Sequence, residues 1–249
     1  MLKKFFRFIK QLLIARWRGL LLLFLGIYLP LQTFTLLAIQ VRENSAGFPW
    51  DQPILLAIHQ TSRRQLDVLA VNLTNFGSIK IVFPIVLIIS LILLFQKKWR
   101  SLTFLVTTAL GATIINRTVK EIMHRVRPHL WQSPAPELDY AFPSGHAMTS
   151  MTLVAALVIL TWGTIWCLPI LIFGSLFVLA IGWTRLYLGV HFPSDILAGW
   201  AVAVAWAMGV SLLIKPQLPK AITTSKPAQP EIRAETSLLP EEQEAIDRD

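Results

Sequence analysis

A guanidinium, an imidazole and a carboxylate fall within the twelve residues from Thr184 to Asp195, as Arg185, His191 and Asp195. Their surroundings make them conspicuous. Between Pro128 and Lys215 there is no other Lys or Arg, and between Asp139 and Glu231 no other Asp or Glu. Charge bordered by long apolar runs marks a functional site by default, because it is costly in a membrane. Asp195 follows His191 by four residues, across a short Phe-Pro-Ser link. A carboxylate on one imidazole nitrogen fixes the tautomer and makes the other nitrogen a better base or nucleophile. The bland alternative is an Arg185–Asp195 salt bridge stapling two helices, with His191 incidental.

Two polar clusters lie upstream. In the first, Lys120 to Pro128, a helix continuing through the segment would return Lys120 and Arg127 to nearly the same face, and Pro128 would stop it. The Arg127 fork would then take an anion with two parallel hydrogen bonds. Read blandly, the same residues are a basic flank touching lipid phosphates. His124, one turn from Lys120, is a candidate substrate contact. The second cluster, Pro143 to His146, opens an apolar run. Amides at a helix start bind phosphate. Gly145 admits close approach, Ser144 offers a hydroxyl donor or an N-cap, and His146 can trade a proton near neutral pH. Its bland reading is an ordinary N-cap followed by an interfacial histidine. His59 and His129 lack a carboxylate at a telling spacing.

The elements that must hold these groups are membrane helices. The chain has 249 residues, 54% hydrophobic and 15% charged, and a mean hydropathy of +0.58. That composition predicts an all-α, multi-spanning membrane protein of one domain. A span needs about 20 apolar residues. The stretches are Leu20–Ile39, Ile79–Phe95, Leu102–Asn116, Ala147–Trp166, Leu168–Trp183 and Ile196–Ile214, a bundle of six over residues 20–214. Pro30 should kink the first. Residues 41–78 are too polar to cross, and the pieces 54–60 and 66–76 should lie at the interface.

Lys and Arg gather at the basic N-terminal segment 1–19, at Lys97, Lys98 and Arg100, and at Lys215 and Lys220, which puts these on the cytoplasmic side of a cell membrane. All three polar clusters then fall on the extracytoplasmic face. The tail, 215–249, holds five prolines and seven acids and reads as disordered and cytoplasmic. Without it, 18 basic and 7 acidic residues give the first 214 residues a net +11. That favours anionic headgroups of the inner leaflet. Nucleic acid is not an expected partner, since the basic groups flank membrane segments. The single Cys167 excludes an internal disulfide and reads as a packing residue, and the nine tryptophans read as interfacial belts or helix packing. No cleavable signal peptide is evident.

The three clusters, in this order, resemble the signature of the type 2 phosphatidic acid phosphatase (PAP2) family, the lipid phosphate phosphatases: Lys-x6-Arg-Pro, then Pro-Ser-Gly-His, then Ser-Arg-x5-His-x3-Asp. Lys120, Arg127 and Pro128 meet the first, Pro143 to His146 the second, and Arg185, His191 and Asp195 the third. Thr184 stands where the family usually has serine; it keeps a hydroxyl. The resemblance spans about residues 50–214. It implies a six-helix bundle with the site at its extracytoplasmic edge, and phosphate removal from an amphiphile such as undecaprenyl diphosphate, phosphatidylglycerophosphate, phosphatidic acid or diacylglycerol diphosphate. By resemblance His191 becomes a phosphohistidine held by Asp195, and His146 protonates the leaving group. Lys120, Arg127, Arg185, Ser144 and the Gly145 amide surround the phosphoryl oxygens. No cofactor or metal is implied, since three cations and a helix N-terminus supply the charge and no carboxylate cluster that could hold a metal ion is expected at this face. A phosphotransferase using the same phosphohistidine is the nearest alternative; a transporter or a non-catalytic scaffold is a remoter one. A monomer suffices, and nothing selects an oligomer.

Overall fold

A computed structural model describes residues 17, 19–44 and 47–217. The basic N-terminal segment and the tail, apart from residues 17, 19 and 215–217, lie outside these. Among the described residues every regular element is a helix, as composition required. The order is α1 (Gly19–Glu43), α2 (Asp51–His59), α3 (Arg64–Asn75), α4 (Ile79–Phe95), α5 (Trp99–Met123), α6 (Gly145–Leu160), α7 (Cys167–Tyr187) and α8 (Pro193–Ile214).

The six expected spans correspond to α1, α4, α5, α6, α7 and α8. Four of these, α1, α5, α7 and α8, are long and apolar enough to cross a bilayer alone. α4 passes the same test together with α3, to which it joins with a 40° bend, and α6 is a shorter apolar helix. In α1 the irregularity expected at Pro30 is a π-helical turn over Phe24–Tyr28. A proline ring cannot donate to the carbonyl four residues back, and a widened turn accommodates that loss.

α6 and α8 form the centre, with α1, α5 and α7 packed around them. Their close approach depends on small side chains. At Gly199 of α8 a Cβ would sit 2.9 Å from the Ser144 carbonyl oxygen and 3.3 Å from the Met148 amide. One core layer joins Ala112, Met148, Val202 and Ala203; another joins Phe104, Leu105, Ala156 and Val210. The outer faces of α1, α4 and α7 carry exposed Leu, Ile and Phe. A face so apolar matches hydrocarbon rather than water.

One expectation is corrected. Lys120 and Arg127 do not share a helix face, because α5 ends at Met123. His124 takes a left-handed conformation (φ 47°) and its amide bonds back to the Lys120 carbonyl, which closes the helix. Residues 124–128 run on without helix, and Arg125 and Arg127 part to different partners, Arg125 to Asp51 and Asp195 and Arg127 to Glu137 and Asp139.

Candidate active site

The three clusters converge. α7 ends at Tyr187, and Gly189 (φ 65°) turns the chain so that the Val190 amide bonds back to Arg185 O at 3.2 Å. His191 is thereby laid, fully buried, against the start of α8. Asp195, at the third position of α8, accepts the Phe192 amide on Oδ2 at 2.8 Å. That same oxygen lies 3.5 Å from His191 Nδ1. The start of α6 is tied in too, its Ser144 amide donating to Asp195 O at 3.0 Å.

Arg127 reaches the opposite edge of the imidazole. Its Nη1 donates to Val190 O at 2.7 Å and stands 3.0 Å from His191 Nε2. A guanidinium only donates, so Nε2 holds a lone pair and the ring proton sits on Nδ1, towards Asp195. Burial, then Arg127 and Arg185, hold the His191 pKa well below the usual imidazole range. The ring is therefore neutral at physiological pH, with Nε2 aimed at the cationic side.

Those cations surround one carboxylate. Glu137 Oε2 lies 2.6 Å from Arg127 Nη2, and Oε1 pairs with Arg185 Nη2. His146 Nδ1 stands 3.6 Å from Oε1, and His191 Nε2 3.9 Å from Oε2. Arg185 is anchored from behind by its Nη1 bond to Thr74 Oγ1 at 2.7 Å. Asp139 bridges Lys120, at 2.6 Å, and Arg127. Burial opposes ionisation of Glu137 and Asp139, yet the guanidiniums, and Lys120 for Asp139, outweigh it and lower both pKa values. Both are anions at neutral pH. The sequence reading gave neither of them a role; the structure seats both on the cations.

Other expectations divide. Gly145 has room above it, since a Cβ would meet nothing closer than Asn116 Oδ1 at 3.4 Å. Of the two roles open to Ser144, its hydroxyl takes the cap, accepting weakly from the Ala147 amide at 3.5 Å. The Thr184 hydroxyl is buried and donates to Ile181 O at 2.7 Å, so it turns into its own helix rather than towards the cradle. His124 packs edge-on against Tyr140 and does not line the cavity. The Arg185–Asp195 staple is absent, Arg185 being paired with Glu137 and Asp195 with Arg125. Arg125, Asp51 and Ser194 also escaped the sequence reading. The signal that was present is the second arginine of Arg125-Val-Arg127, one of two alternating charges entering an apolar bundle.

A cavity of about 560 Å³ opens beside Glu137, lined by Asn116, Arg117, Lys120, Gly145 and His146. Ile79, Ala112, Thr113 and Thr149 are common to it and to a second, apolar cavity of about 430 Å³ that runs between α4, α5 and α6 to Leu105 and Ala156. A polar site thus adjoins a greasy channel.

The PAP2 superfamily model matches residues 100–218, and this part of the chain belongs to that superfamily. An undecaprenyl-diphosphatase of Sulfolobus acidocaldarius is 26% identical over 201 residues, covering 77% of this chain and 92% of that one. Phosphatidylglycerophosphatase B of Bacillus subtilis is 27% identical over 183 residues, 69% of this chain and 86% of its own. The crystal structure of a transmembrane PAP2 type phosphatidylglycerolphosphate phosphatase from Bacillus subtilis superposes with a TM-score of 0.67, at 23% identity, over 76% of this chain and 97% of that one. The fold is that of the membrane PAP2 phosphatases. Its apolar helices and these relatives make the chain a multi-pass membrane protein that carries a PAP2 superfamily region and is similar to PAP2 lipid phosphatases over most of its length.

Proposed function

We propose that residues 20–214 form a six-span lipid phosphatase that cleaves a phosphate or diphosphate from a membrane amphiphile through a phosphohistidine at His191, without a metal. One observation carries this reading: the Glu137 carboxylate rests on Arg127 and Arg185, 3.9 Å from the unprotonated Nε2 of His191, whose lone pair Arg127 must release for attack. That carboxylate stands in for two phosphoryl oxygens. Reacting atoms in a productive complex lie about 3–3.5 Å apart, so a phosphorus placed there is within reach of Nε2.

In the proposed reaction Nε2 bonds to phosphorus as the bond to the leaving oxygen breaks. His146 gives that oxygen a proton. Water then attacks the phosphohistidine, His146 takes its proton, and the N–P bond breaks to release phosphate. Lys120, Arg127, Arg185 and the Gly145 amide hold the equatorial oxygens, where positioning and charge stabilisation supply most of the catalysis. Asp195 keeps the proton on Nδ1 and faces the positive charge that grows on the ring. The adjoining apolar cavity takes the lipid chain. On this reading the termini are cytoplasmic and the site faces the extracytoplasmic side, which the distribution of Lys and Arg supports, and undecaprenyl diphosphate is the favoured substrate.

Glu137 must leave for substrate to bind. Glu137→Gln is therefore expected to tighten competitive inhibition by inorganic phosphate about 5–10-fold, the loss of one like charge beside the anion. A weaker inhibition constant would show that Glu137 assists rather than competes. The reading itself is tested by phosphate release from undecaprenyl diphosphate by detergent-purified protein in excess EDTA, beside His191→Ala. Release by the wild type alone supports it; no release from folded wild type contradicts it.

A further inference from the structure

Behind Asp195 lies a second group of charges that touches no part of the phosphoryl cradle. Arg125 is 2% exposed, and Asp51, Ser194 and Asp195 are each 0% exposed. Arg125 Nη2 meets Asp51 Oδ2 at 2.9 Å; its Nη1 donates to Ser194 Oγ at 2.8 Å and pairs with Asp195 Oδ1. Asp51 is saturated in turn. It accepts the Ser194 amide at 3.0 Å, the Ser194 hydroxyl at 2.6 Å and the Phe48 amide at 3.1 Å. The Phe192 ring lies 4.4 Å from the guanidinium carbon. Gly47, in the left-handed region at φ 81°, closes the other side, where a Cβ would overlap the Arg125 guanidinium.

Burying three charges to join four segments is a poor way to gain stability, since well-packed apolar side chains commonly do as well or better. The charge balance suggests a different use. One guanidinium against two carboxylates leaves one negative charge in excess. Asp51 faces Arg125 and hydrogen-bond donors from Phe48 and Ser194. Asp195 divides its oxygens: Oδ1 goes to Arg125, while Oδ2 takes the Phe192 amide and looks at His191 Nδ1, 3.5 Å away. Nδ1 is buried and has no other polar partner among the described residues. On the far edge of the ring stands Arg127.

We infer that Arg125, clamped by Asp51, is the positioning residue for the Asp195–His191 pair: it fixes the rotation of the Asp195 carboxylate, while Asp51 absorbs the guanidinium charge so that the field of Asp195 is left for the imidazole. The inference rests on His191 being the nucleophile. When Nε2 bonds to phosphorus the ring becomes cationic, and the excess charge held behind it stabilises that state. Neither Arg125 nor Asp51 touches the reacting atoms.

The test is kcat and KM for phosphate release from undecaprenyl diphosphate by the full chain, for wild type, Asp51→Asn, Arg125→Lys and His191→Ala. Asp51→Asn keeps the shape and one of the two acceptor oxygens but leaves Arg125 to neutralise Asp195. It is expected to lower kcat about 10-fold with KM within about twofold, as for a partner one layer removed from the reacting group. Arg125→Lys keeps the charge but cannot span both carboxylates, and is expected to lower kcat likewise. A purely structural cluster would show lower melting temperatures with wild-type kcat per folded molecule, and that result overturns the inference. Failure of both variants to fold would assign the cluster to stability alone and also overturn it. Phosphate release by His191→Ala, or none by wild type, would instead defeat the phosphatase reading on which the inference stands.

Discussion

His191→Ala is expected to lower phosphate release by about 10⁴-fold or more, the scale on which removing a nucleophile leaves only binding and charge stabilisation behind. The loss should appear in kcat, with KM changed little, because the cations that hold the phosphate belong to other elements. Arg127 rises from the segment after α5, Arg185 from α7, and Lys120 from α5 itself. The variant should also fold. Removing the ring leaves Asp195 with Arg125 and the Phe192 amide, so no charge is orphaned. What remains is a cavity where a buried ring was, costing a few kcal/mol at about the scale of other large-to-small core changes. Steady-state kinetics on folded variant, checked by thermal unfolding in detergent, decides the matter. A residual rate within tenfold of wild type would transfer the nucleophile's role elsewhere.

Arg127→Ala should come next in size, with kcat down by about 10³-fold, the upper range for deleting one charge-stabilising donor. Arg127 performs four tasks at once. It holds His191 Nε2 in its unprotonated form at 3.0 Å, fixes the Val190 carbonyl at 2.7 Å, and faces the anion position with Nη2, 2.6 Å from Glu137. It also anchors the loop beyond Pro128 through its Nε bond to Asp139 O at 2.7 Å. Arg127→Lys should recover little, because an ammonium cannot reproduce a fork shared among a carbonyl, an imidazole and an anion. KM should rise along with the fall in kcat, which separates this variant from His191→Ala. Wild-type kcat in Arg127→Ala would show that the guanidinium merely seals the loop.

Much of this site is legible in the sequence because the background is so apolar. Arg185, His191 and Asp195 stand out against about ninety residues with hardly another charge, and helix periodicity needs no partner to be read. The misreadings share a cause: each depends on where a non-helical segment goes. Whether α5 stops at Met123 or runs to Arg127 turns on one left-handed residue, His124, and although histidine is enriched there over most residues, such positions are a small minority of all histidines. Glu137 and Asp139 lie in a loop rich in proline, whose path over the cations is set by the finished bundle rather than by any local period. Asp51 and Arg125 are 74 residues apart in sequence and meet only because α2 folds back beneath α8. Thr184 illustrates the converse: a hydroxyl at a telling position, turned into its own helix by a bond to Ile181 O that spacing alone cannot reveal.

The central claim is the covalent intermediate, and the most direct measurement is rapid-quench capture of the enzyme during turnover of a diphosphate lipid labelled in its terminal phosphate. The account predicts one label per chain, stable in alkali and labile in acid as a phosphoramidate is, located by mass spectrometry at His191 and absent from His191→Ala. Phosphate release at full rate with no labelled protein at the shortest times, or label on another residue, would contradict it.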